Sequence, residues 1–154
     1  MADAKLEQKL ERLLDRLEIL LPKTEDEVDW SAAAFRWRRK QYLGMSYGVL
    51  EPIHRVALVD PDSIKNADQQ KAALLRNTEQ FVRGLPANNV LLTGARGTGK
   101  SSLIRACLKQ FADQGLRLIE VDKEDLKDLI DIAQRIADRP EKFIVFCDDL
   151  SFEF

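Results

Sequence analysis

Two cysteines and one histidine in 154 residues leave little from which to build a disulfide framework or a soft-metal centre. Cys107 and Cys147 sit inside apolar stretches without the short spacings of metal ligands, so small, reduced core residues in a cytoplasmic setting are expected. His54 stands alone, with no neighbour in sequence to make it a catalytic base. An excess of one charge sign is also missing: 24 Lys and Arg against 26 Asp and Glu give a formal net charge of -2. That balance makes no demand for nucleic acid or an anionic membrane, so any basic patch has to be local. No apolar run is long enough to cross a bilayer, and the acidic, charge-broken N-terminus lacks the continuous apolar segment of a secretory signal. What is there, 45% hydrophobic and 32% charged residues, suits one ordinary domain with a buried core.

The leucines Leu6, Leu10, Leu13, Leu17 and Leu20 alternate steps of four and three between charged residues, which predicts an amphipathic helix ending at Pro22. At about two and a half heptads, it either packs on its own chain or pairs with another copy. After an acidic, polar stretch, Trp30, Phe35, Trp37 and Tyr42 interleave with Arg36, Arg38, Arg39 and Lys40. Such a segment is read either as a helix burying its rings while its arginines snorkel, or as a surface that stacks bases and grips phosphates. Gly44, Gly48, Pro52 and Pro61 then punctuate an apparent irregular connector. The implied organisation is an N-terminal helical region over 1–43, a connector over 44–61 and a core over 62–154.

Within the core, Leu74, Leu75, Thr78, Phe81 and Val82 recur at helical spacing ahead of Gly84 and Pro86. Asn89 to Thr93 reads as a short buried strand, Lys100 to Phe111 as a helix stopped by Gly115, and Leu116 to Val121 as a second strand. Asp125 to Ala137 reads as a helix turning Leu126, Leu129, Ile130, Ala133 and Ile136 inward, and Phe143 to Cys147 as a third, buried strand. Strands alternating with helices predict an α/β fold with a parallel sheet covered on both faces.

Between the first core strand and the helix that follows lies Gly94-Ala95-Arg96-Gly97-Thr98-Gly99-Lys100-Ser101, which fits G-x-x-x-x-G-K-[ST] in the strand-to-helix context the pattern requires. The glycines free the backbone to turn successive N–H groups toward phosphate oxygens, and the helix N-terminus adds its positive end. Lys100 is the candidate for the β- and γ-phosphates and Ser101 for Mg²⁺, with Ser102 adding a hydrogen bond. At the carboxyl end of the third strand stand Asp148, suited to the Mg²⁺ shell, and Asp149. Asp149 and Glu153 are the candidates for polarising an attacking water, and each is equally open to being a solvated turn carboxylate. The ligand expected is Mg-ATP.

The blocks LRNTEQFVRGLPANNVLLTGARGTGKSS, GLRLIEVDKEDL and FIVFCDDLSFE resemble a family of bacterial predicted ATPases of the AAA+ class, from about Phe35 to the end. The resemblance implies ATP rather than GTP, Gly94 to Ser101 as Walker A, Asp148 and Asp149 as Walker B, and Ile64 to Asp68 beside the adenine. Lys65, Asn66 and Ala67 stand where a glycine is frequent in such proteins. The chain ends six residues after Asp148, before the sensor strand, arginine finger and helical lid the resemblance implies, so a partial protein that hydrolyses ATP poorly is expected. In the implied sheet order a strand would lie between those of Walker A and Walker B, and both would be left with unpaired inner edges. The leading expectation is an ATPase core that couples Mg-ATP to remodelling of a protein or nucleic-acid partner, as a homo-oligomer in full-length form. A nucleotide-regulated binding module that does not hydrolyse is the alternative, with a small-molecule kinase third. No N-K-x-D segment supports a GTPase.

Overall fold

A computed structural model of the chain describes residues 2–20, 28–94, 97 and 99–148. The helices are α1 (Ala2–Leu20), α2 (Asp68–Val82), α3 (Lys100–Phe111) and α4 (Leu129–Ile136). The strands are β1 (Ala34–Tyr42), β2 (Met45–Ile53), β3 (Leu116–Glu120) and β4 (Lys142–Phe146), in the spatial order β2-β1-β3-β4. β1 runs antiparallel to β2 and parallel to β3, and β3 runs parallel to β4. The sheet is thus mixed rather than parallel throughout, within the α/β class.

The aromatic and arginine segment is a strand, not a helix. Phe35 and Trp37, two apart, share one face of β1 and are fully buried, while Arg36 and Arg38 between and beyond them are exposed. That is the two-residue period of a strand, and β-branched or aromatic residues on a half-buried pleat favour it. The first half of the expected connector is β2, joined to β1 by Leu43 and Gly44 at φ 48° and 77°. Two consecutive positive φ values make the tight primed turn whose twist matches the two strands. Gly48 in β2 lies under the Trp37 ring, where a Cβ would overlap Cζ2 and Cη2.

Each sheet face has its own core. Ala34, Leu116 and Leu118 pack with Leu74 of α2 and with Leu103, Ile104, Cys107, Leu108 and Phe111 of α3. Phe35, Trp37, Leu50, Ile119 and Val121 pack on the other face with Ile132 of α4. Trp30 and Phe143 close that second core, with Trp30 5.4 Å from Phe35 and 6.1 Å from Phe143 between ring centroids. α2 ends as expected, with Gly84 at φ 74° and the Leu85 N–H returning to the Gln80 carbonyl.

Three expectations for the core need correction. The helix predicted from Asp125 begins as a 3₁₀ segment, Lys123–Asp128, before α4. Its three residues per turn shift the phase, so Leu129, Ile130 and Ala133 are exposed and Ile132 is the buried residue. β4 is only half-buried, because among the described residues it pairs on one side alone, with β3. Asn89 to Thr93 forms no strand, and Leu91 is 71% exposed. A strand needs a neighbour to satisfy its backbone, and this segment has none in the described sheet.

Asp128 ties the hairpin to the start of α4. Its carboxylate accepts from the Trp37 indole N–H at 2.9 Å and from Arg39 Nη1 at 2.8 Å on both oxygens. The Arg39 hydrogen bonds, and then that of Trp37, hold the Asp128 carboxyl below its ordinary value. Since the folded value is the lower one, this stabilisation is complete above the ordinary carboxyl pKa of about 3.9 and is lost as pH falls through the folded value. The urea midpoint of the wild type should therefore drop between about pH 7 and about pH 3, and Asp128→Asn should narrow that drop. Some of the drop remains in the variant, because hydrogen bonds also hold Asp29, Asp60 and Glu141 low. An unchanged drop would remove Asp128 from the account.

Candidate phosphate and metal site

The loop that leads into α3 turns on glycines with positive φ: Gly94 at 143°, Gly97 at 80° and Gly99 at 85°. Residues with a Cβ are strained in these conformations, and the αL backbone of Gly99 delivers the chain directly into α3. Lys100 is the first helical residue, and its Nζ donates to the Gly94 carbonyl at 2.7 Å. The ammonium is thereby tied back to the residue that opens the loop. Ser102 follows on α3, half-buried. Ala95, Arg96 and Thr98 lie outside the described residues, as do Asp149 and Glu153.

Ser101 and Asp148, 47 residues apart, meet here. Ser101 Oγ donates to Asp148 Oδ2 at 3.1 Å. The meeting follows from topology, since β4 runs parallel to β3 and both deliver their carboxyl ends beside the N-terminus of α3. Two neighbouring oxygens of an octahedral Mg²⁺ shell lie about 2.9 Å apart, given metal–oxygen bonds of 2.0–2.1 Å. The hydroxyl and carboxylate are thus spaced as two ligands of such an ion. Among the described residues no group of three or more His, Cys, Asp and Glu side chains gathers to hold a metal. A cation at this place would take most of its shell from elsewhere, as Mg²⁺ bound with phosphates does.

Beside this pair opens a cavity of about 390 Å³ whose lining includes Ser101, Asp148, Arg105, Arg36 and Glu120. Arg36 reaches it because β1 sets Arg36 opposite Glu120 of β3, and the two side chains meet at 2.6 Å. Glu120 holds the Arg36 guanidinium even more firmly protonated than usual. Arg38 pairs with Asp122 at 3.4 Å and Arg39 with Asp128 at 2.8 Å. The three arginines that made the segment look like a phosphate-backbone reader each face a carboxylate. Sequence reasoning missed Arg36, Arg105 and Glu120 as neighbours of the site. The four-residue step from Ser101 to Arg105, which puts both on one helix face, was the legible signal for Arg105. His54, far from this site in sequence, has Nδ1 3.8 Å from an Asp29 oxygen.

Comparison with known proteins gives two matches. The model of the family described as "Protein of unknown function (DUF815)" matches residues 30–154. Over 75 residues, 48% of this chain, the sequence is 33% identical to the replication factor C large subunit of Sulfolobus acidocaldarius. That stretch is 17% of the relative, so the chain spans less than a fifth of its length. No solved structure matches. No helix among the described residues is long and apolar enough to cross a membrane.

Proposed function

The chain belongs to that family, and on this footing we propose that it binds Mg-ATP as an AAA+ type ATPase core, coupling binding and hydrolysis to the remodelling of a partner. The observation that carries the reading is the meeting of Ser101 and Asp148 at 3.1 Å behind a glycine-rich loop that opens α3. A hydroxyl and a carboxylate so placed suit Mg²⁺, and the positive end of α3 suits the phosphates that would bring the ion. The similarity to replication factor C large subunit supports the AAA+ relationship.

On this reading the backbone from Gly94 to Ser101 cradles the phosphates, with Ala95, Arg96 and Thr98 contributing through their N–H groups. Lys100 leaves the Gly94 carbonyl for the β- and γ-phosphate oxygens, and Ser102 adds a hydrogen bond. Ser101 and Asp148 hold the metal. Asp149 and Glu153 are the carboxylates assigned to orient the attacking water, and Ile64 to Asp68 is the segment assigned to the adenine. The protein works in the cytoplasm on a protein partner, with homo-oligomerisation assigned to its full-length form. The carboxylates facing Arg36, Arg38 and Arg39 weigh against nucleic acid as that partner.

The test compares ATP binding with and without Mg²⁺ in the wild type and in Asp148→Asn. Mg²⁺ should tighten ATP binding to the wild type, and the substitution should remove about a tenfold share of that gain, the equivalent of one charged ligand interaction. Mg²⁺-independent binding in both proteins would sink the metal assignment. Turnover measured alongside separates the two functional readings: tight ATP binding without phosphate release favours a nucleotide-regulated binding module that does not hydrolyse.

A further inference from the structure

A large apolar surface that belongs to neither core lies on α1. Leu6, Leu10, Leu13, Leu14 and Leu17 each keep half or more of their surface exposed, from 50% at Leu17 to 65% at Leu6. Neither sheet-face core includes a residue of this helix. A lone helix of 19 residues is only marginally stable in water, and amphipathic helices draw most of their stability from whatever covers the apolar face. α1 also lies outside the residues that match the family, so the cover is not owed to the nucleotide site.

We propose that the cover is α1 of a second copy, and that the two helices pair in parallel as a short coiled coil. The steps of four, three and four from Leu6 to Leu17 place Leu10 and Leu17 at a positions and Leu6 and Leu13 at d positions. Leu14 then falls at e, and Lys9 and Arg16 fall at g. In a parallel pair each g residue lies across from the e residue of the next heptad. Lys9 therefore lays its aliphatic stem over Leu14 of the second copy, covering the extra leucine with its charge in water. An antiparallel pair that fills the same layers sets Leu6 against Leu17 and Leu10 against Leu13, and brings g against g. Lys9 then meets Arg16, a like-charge contact that destabilises the pair. The charge pattern thus chooses the parallel arrangement.

The area is sufficient. Five leucines per helix, each offering about 100 Å² of apolar surface, hide on the order of 1,000 Å² between two copies, near the lower bound for specific interfaces. The seam is short, so association is concentration-dependent rather than permanent. This inference is independent of the nucleotide reading.

Sedimentation equilibrium of the full chain across a hundredfold concentration range tests it. The wild type should rise from the monomer toward twice its mass, and Leu10→Asp/Leu17→Asp should stay monomeric. Both sites lie outside the two cores, so tryptophan fluorescence should be unchanged. A wild type that stays monomeric overturns the proposal, as does a double variant that still dimerises, which would place the contact elsewhere. For orientation, Leu13→Cys in a Cys147→Ser background should form a disulfide-linked dimer on mild oxidation, with Cys107 buried and out of reach. Linkage only when Leu10→Cys and Leu13→Cys proteins are mixed would overturn the parallel arrangement.

Discussion

Replacing Lys100 by Ala is expected to weaken Mg-ATP binding about a hundredfold, a loss of ~2.7 kcal/mol. The lysine opens α3, and its ammonium donates to the Gly94 carbonyl. On the proposed reading its removal deletes a charge-assisted contact to the phosphates and leaves the backbone N–H groups assigned to them, so residual weak binding should survive. Lys100 belongs to neither core, so the unfolding midpoint should stay within the small range typical of surface changes. Calorimetric titration with ATP beside a urea melt separates the two quantities. Equal affinity in the variant would mean that the loop does not hold phosphate through Lys100, and the functional reading would fail with it.

The second large effect is on stability. Trp37→Ala should cost about 3–5 kcal/mol, the usual range for emptying a buried tryptophan site. The ring is fully buried in the core under α4, its N–H holds Asp128, and the Arg135 guanidinium lies 5.2 Å above it. The substitution opens a cavity and removes one of the hydrogen bonds that satisfy a buried carboxylate. Typical domains are stable by only about 5–15 kcal/mol, so the variant should unfold at markedly lower urea or fail to accumulate. Gly48→Ala supplies the complementary observation. In the wild type the added methyl collides with the Trp37 ring and should destabilise by about 1–3 kcal/mol, whereas beside Trp37→Ala it enters the vacated space. The two changes should therefore be strongly non-additive in a double-mutant cycle. Additive costs would show that Gly48 and Trp37 are not in contact.

How far the sequence could be read depended on where the information lay. The glycine-rich turn into α3 was legible because it is written in consecutive residues, and α3 runs from Lys100 to Phe111 as read, with Gly115 ending the 3₁₀ turn that follows. The position of Asp148 just beyond a strand was legible from the apolar run before it. The hairpin was not. Phe35 and Trp37 alternate with arginines as a strand requires, but the arginines find their carboxylates, Glu120, Asp122 and Asp128, more than 80 residues away. No local window contains those partners. The turn also lacks the Asn-Gly or Asp-Gly signal, since Leu43 adopts the positive φ in its place. Asn89 to Thr93 failed for the opposite reason: its composition suits a strand, but strand formation depends on a neighbour that composition does not contain.

The β1–β3 pairing has a consequence for how the chain is made. Residues 34–36 must find residues 118–120, a closure far longer than the two-residue turn that joins β1 to β2. The hairpin can zip up in microseconds, but the strand that completes its inner edge has yet to be synthesised. At about 5–20 residues per second, the roughly 70 further residues to the end of β3 take about 3–13 seconds to appear. Throughout that interval Phe35 and Trp37 have no α4 above them and β1 has an open edge. The yield of folded chain should therefore depend on translation speed between Ile53 and Glu120.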